Sequence, residues 1–274
     1  MLLASAVGGW GSTTTLARLV EAVRAKAKAL EGGAGIKSAY DSFLTQFKLQ
    51  AGTPSYSDFV VTRLLYEATR DAGFWNLHWA ITNMPPNSDE IWKQWKNRTA
   101  PSASSPTATA ECDELSALFA FLAGRAGVRG VGLFWPAANH TIAAWVVNRA
   151  SGQVRVVIPT TQIFLDENDY WGTKKFDPWR QKAIYEYARR DVPDSFELPG
   201  GLYDFFVRQM ERYVGASDST LQLLRYLREG VFRNAMSREA AGREALRVRR
   251  NRGGAAEEDL AAFENFARDM QGRE

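Results

Sequence analysis

ECDELSALFAFLAGRAGVRGVGLFWPAANHTIAAWVVNRASGQVRVVIPTTQIF, Glu111 to Phe164, holds the only cysteine of the chain, Cys112, and one of its two histidines, His140. Leu115, Leu118, Phe119 and Leu122 follow the i, i+3, i+4, i+7 spacing of a helix with one buried face. Thr109 suits the N-cap and Gly127 the stop after Ala126. Cys112 then falls in the first turn, where free backbone N–H groups and the positive end of the helix dipole favour a thiolate. Glu111, Asp113 and Glu114 oppose this, because neighbouring carboxylates raise a thiol pKa. The sequence leaves that contest open.

Val131 to Trp135 is short and apolar, which predicts a strand; Pro136 to Asn139 interrupts it. His140 begins a second run, HTIAAWVVN, rich in β-branched and aromatic residues. Arg149-Ala150-Ser151-Gly152 has turn chemistry, and Val154 to Ile158 predicts a third strand. A turn that pairs Asn148 with Gln153 puts His140 opposite about Thr161, with Thr160 and Gln162 on either side.

A helix opening on Cys, a strand, a strand opening on His and a third strand resemble the transglutaminase-like (papain-like) cysteine enzyme superfamily over roughly residues 105–165. The resemblance implies an α+β fold, a small antiparallel sheet packed on the Cys helix, with Cys112 as nucleophile and His140 as its base. It implies an Asp-Pro-Thr-like end to the third strand as well. Here Ile-Pro-Thr, Ile158 to Thr160, stands in its place, and Ile158 has nothing with which to orient an imidazole. Gln162 is the favoured substitute, an amide oxygen able to accept the N–H of His140. The hydroxyls of Thr160 and Thr161 are alternatives, as are Asp166, Asp169 and the Asp177 of Phe-Asp-Pro-Trp.

By this resemblance the chain is a cysteine peptidase, amidase or acyltransferase acting on a peptide or protein amide. The alternative is a degenerate domain of the same type that binds a peptide or protein without chemistry. The bland reading of each residue stands beside these. A lone Cys is often a small buried hydrophobe. His78, within Phe-Trp-Asn-Leu-His-Trp, is expected to be a buried, hydrogen-bonded core histidine.

Composition narrows the remaining classes. With 45% hydrophobic residues and nine Trp among 274 residues, most of the chain has material for a core. A net charge of +3 points to neither nucleic acid nor an acidic partner. One cysteine excludes an internal disulfide and, with two histidines, argues against a Cys/His zinc site; no cofactor or metal is implied. The lone cysteine fits a reducing compartment, while export with a trimmed signal stays open. No apolar run nears the ~18 residues of a membrane span.

Outward from the central stretch, residues 1–98 are expected to be helical: an amphipathic helix in 12–31, others in 36–50 and 56–72, and a short one from Ser88 to Lys96. The Ser/Thr/Pro-rich 99–110 reads as a connector, 111–215 as the core, and 216–274 as a helical, partly basic extension rich in arginine from Arg225 to Arg252. The terminal helices are expected to pack on the core or on a protein partner.

Overall fold

The computed structural model describes residues 12–71, 73–80, 89–98, 101, 105–137, 140–158, 160–161 and 191–215, with the backbone alone for 134–137 and 140. The chain divides into two compact units. Met1–Thr161 with Glu167–Glu211 form the first; Gln162–Asp166 with Arg212–Glu274 form the second, of which only residues 212–215 are described. No helix among the described residues is long and apolar enough to cross a membrane.

The first unit is α+β. Among the described residues, the longer helices before the central stretch are α1 (Leu16–Leu30), α2 (Ala34–Phe47) and α3 (Tyr56–Thr69). Local chemistry starts two of them. Thr15 caps α1 by accepting the Arg18 N–H at 3.4 Å, and Ser55 caps α3 by accepting that of Asp58 at 3.0 Å. Leu16, Leu19, Val20, Val23 and Ala27 form the buried stripe of α1. The apolar stripe of α2 is shallower, with Ile36 and Tyr40 buried and Phe43, Leu44 and Phe47 half-buried.

Short elements lead to the central helix: strand β2 (Leu77–Trp79), helix α4 (Glu90–Lys96) and strand β3 (Ala108–Ala110), which runs directly into α5 (Cys112–Ala126). The segment before Cys112 is thus partly a strand. β3 pairs in parallel with β2, Trp79 lying opposite Ala110. Gly127, at φ 105°, closes α5 in the left-handed conformation glycine favours. The helix differs from its expected one-sided pattern, since every residue from Cys112 to Ala123 is buried. The sheet lies against one side of it, and α1 and α3 lie against others.

That sheet is antiparallel, in the order β4 (Val131–Ala137), β5 (His140–Arg149), β6 (Gly152–Ile158). Asn148 pairs with Gln153, the register expected from the turn, and the pairing continues to Ala143 opposite Ile158. β4 runs through Pro136, with a register shift between Phe134 and Ala137 where a break was expected.

Two features had no signal in the local pattern. Strand β1 (Thr13–Thr15) pairs antiparallel with β7 (Glu197–Pro199), tying the start of α1 to the start of helix α6 (Gly200–Val214). Phe206 of α6 also enters an aromatic cluster, its ring 4.4 Å from that of Trp75 and 4.8 Å from that of Trp95. Trp92 packs edge-on against Trp95, Phe121 and Phe196. Five segments far apart in sequence therefore share one apolar core.

Candidate functional site around Cys112

Cys112 is a free thiol at the first helical position of α5, 7% exposed. The N-cap is Glu111, not Thr109. The Glu111 side chain accepts the Glu114 N–H, and Glu114 Oε2 accepts the Glu111 N–H at 2.7 Å, forming a reciprocal capping box. Thr109 is committed to β3, where its N–H donates to Gln94 Oε1 at 2.9 Å. With the first turn held this way, the Cys112 side chain points at the beginning of β5: the Thr141 N–H donates to Sγ at 3.5 Å. Thr141 directly follows His140, so the fold brings the two sequence-selected residues into one neighbourhood at the backbone level.

A hydroxyl network supports this junction one helical turn further along. Ser116 Oγ lies 3.2 Å from the Thr141 carbonyl oxygen and 2.8 Å from Thr160 Oγ1, and all three residues are fully buried. A serine hydroxyl has one proton. If Ser116 donates to the carbonyl, then Thr160 must donate to Ser116, so both protons are engaged. The Thr160 carbonyl in turn accepts the Asp71 N–H at 2.7 Å. The Asp71 carboxylate accepts the Trp79 N–H at 2.8 Å and lies 3.9 Å from Nδ1 of His78. A continuous path of short contacts therefore runs from the Cys112 thiol through β5, Ser116, Thr160 and Asp71 to β2, and back along β3.

His78 departs from expectation: its side chain is 59% exposed. Alternation along β2 is the reason, since Leu77 is buried and its neighbour faces outward. Gln162, the expected orienter of His140, lies outside the described residues, as do Asp166, Asp169 and Asp177. Ile158 is buried and pairs with Ala143, three residues beyond His140 on β5. The sequence reading missed Ser116, Thr141 and Asp71. Ser116 had one available signal, a hydroxyl one turn from Cys112 on the same helix. Asp71 had none, because its place depends on long-range pairing.

The electrostatics oppose a resting thiolate. Burial pushes the Cys112 thiol up to about 11; the Thr141 N–H works against this, and Asp113, Glu111 and Glu114 add to it. The helix-start argument for a thiolate thus loses to desolvation. Burial likewise raises both Asp113 and Glu114, the latter to about 8, with each carboxyl reinforced or relieved by the hydrogen bond between them. Near neutral pH the first turn carries a protonated Glu114 beside a neutral thiol.

No protein-family model, curated protein or solved structure matches the chain. Its chemistry rests on its own residues. Among the described residues no group of three His, Cys, Asp or Glu is placed to hold a metal ion.

Proposed function

We propose that the chain is a transglutaminase-like cysteine acyl-transfer enzyme, a peptidase or amidase, with Cys112 as nucleophile and His140 as general base. One observation carries the reading. A thiol on a buried helix start accepts a hydrogen bond at 3.5 Å from the residue that follows the histidine, across twenty-nine positions of sequence. A neutral thiol of raised pKa requires such a base, because the proton must leave as sulfur attacks. In this mechanism His140 takes the Cys112 proton as Sγ adds to an amide carbonyl. The backbone N–H of Cys112, at the helix start, donates to the oxyanion. The tetrahedral intermediate collapses as His140 passes the proton to the leaving amine, which leaves a Cys112 thioester. Water, or an amine in transfer, then releases the acyl group.

The binding-domain alternative is favoured by two facts: the thiol raised to about 11 and the apolar Ile158 in place of an acid. Acylation separates the readings. The folded protein is incubated with an activated ester and with a library of peptide amides between about pH 6 and pH 9, and intact mass is followed. The enzyme reading expects a Cys112 acyl adduct, absent in Cys112→Ser and slower by at least about 100-fold in His140→Ala, the usual weight of a general base. An adduct that forms only after unfolding would overturn it and leave a binding module.

A further inference from the structure

We propose that Ser116 is a positioning residue for the Cys112 thiol: its hydroxyl holds Thr141 so that the Thr141 main-chain N–H stays directed at Sγ. The inference deepens the acyl-transfer reading and rests on it, naming the group that steadies sulfur as its proton leaves. Its first support is the shape of β5 at this point. Phe134 pairs with Ile142 and Ala137 with His140, so Trp135 and Pro136 together stand opposite Thr141 alone. Two residues facing one make a β-bulge, which bends a strand and re-aims what it carries. Pro136 has no N–H to give to a ladder, which suits it to a bulge. At this irregular step the Thr141 N–H donates to Cys112 Sγ at 3.5 Å.

The second support fixes the direction of that N–H. Ser116 lies four residues after Cys112, one turn along the same face of α5. Its Oγ donates to the Thr141 carbonyl oxygen at 3.2 Å and lies 2.8 Å from Thr160 Oγ1. One helix therefore grips both backbone groups of Thr141, the N–H through Cys112 and the C=O through Ser116. A carbonyl cannot donate, so Ser116 gives its one proton to Thr141 and accepts that of Thr160. Ser116, Thr141 and Thr160 are fully buried, away from water that would compete for these bonds. Burial and three carboxylates keep the thiol neutral, and the Thr141 N–H works toward its ionisation. As Sγ loses its proton, that hydrogen bond becomes charge-assisted and stronger.

The test follows the Thr141 amide by NMR in the folded full chain, with the pH dependence of Cys112 alkylation by iodoacetamide and the rate of its acylation. Cys112→Ala removes the sulfur and is expected to shift the Thr141 amide proton and speed its exchange. Ser116→Ala is expected to move that amide toward its position in Cys112→Ala. At fixed pH it slows alkylation and acylation roughly three- to tenfold, the worth of one hydrogen bond, and its alkylation inflection moves to higher pH. Thr160→Val leaves the Ser116 proton on Thr141 and has the smaller effect on all three readouts. Thermal unfolding is measured alongside, since a merely structural role would lower the melting temperature of both variants without separating their amide shifts or inflections. An unmoved amide or inflection in Ser116→Ala, or equal shifts in Thr160→Val, overturns the assignment and leaves the acyl-transfer reading standing. If Ser116→Ala does not fold, Cys112→Ala decides, and an unchanged Thr141 amide there overturns the proposal. A wild-type chain that is never acylated sinks the acyl-transfer reading, while the amide and the inflection still decide whether Ser116 holds Thr141 on the sulfur.

Discussion

At Glu114 a single proton joins the capping of a helix to the acidity of the candidate site. The folded chain holds that proton up to about pH 8, while an ordinary glutamate releases it near 4.5. Between these values the folded state binds a proton that the unfolded state does not, so stability falls as the pH rises through the window. Below it both states are protonated and above it both are ionised, and the dependence vanishes. Glutamine at this position accepts the Glu111 N–H as glutamate does, since both residue types serve in capping boxes. Glu114→Gln is therefore expected to flatten the fall in the urea midpoint between about pH 5 and pH 8 and to be the more stable protein at the upper end. Asp113, raised by the same burial, leaves a residual slope. A midpoint curve for Glu114→Gln that parallels the wild type would show that the proton sits elsewhere.

Among the elements, the end of α3 shows how one small residue sets the course of a segment. Beyond Thr69 the chain doubles back, with the N–H groups of Phe74 and Trp75 donating to the carbonyls of Glu67 and Ala68 at 3.0 and 3.2 Å. A Cβ on Gly73 would stand 2.5 Å from the Glu67 carbonyl oxygen and 2.8 Å from those of Ala68 and Arg70. Gly73→Ala is expected to cost more than about 1 kcal/mol, read from urea unfolding, because backbone must move to admit the methyl group. The helices of α1, α3 and α5 were legible in the sequence, as were the Gly127 end of α5 and the Asn148–Gln153 register, while α3 ends at Thr69, short of the 72 expected. Each depends on residues close together in the chain: an apolar period, a cap, a glycine or a two-residue turn. The β1–β7 and β2–β3 pairs were not legible. Three-residue strands have no period, and their partners lie far away. His78 was misplaced for the same reason, since its exposure follows from strand alternation that an aromatic-rich hexapeptide does not reveal. Cys112 and His140 were chosen on chemistry and order alone; the Ser116 link and the approach of Thr141 to sulfur needed the packing of α5 on β5.

Across the whole first unit, the aromatic cluster joins the late helix α6 to residues laid down far earlier. Phe206 is fully buried between Trp75 and Trp95. Phe206→Ala is expected to remove about 3–5 kcal/mol of stability, the usual range for emptying a large aromatic site. Tryptophan emission should shift as water gains access to the two indoles. A loss under about 1 kcal/mol would mean that α6 is an accessory to this core. The same reach across the chain governs the candidate pair, whose two members hang from different sheets: Cys112 follows β3, and His140 opens β5. Between those sheets runs the bond from the Asp71 amide to the Thr160 carbonyl. Deuterium uptake at that one amide would therefore follow the opening of the seam itself: uptake at the rate of global unfolding means that Cys112 and the start of β5 are carried by a single rigid frame, and faster uptake means a hinge between them.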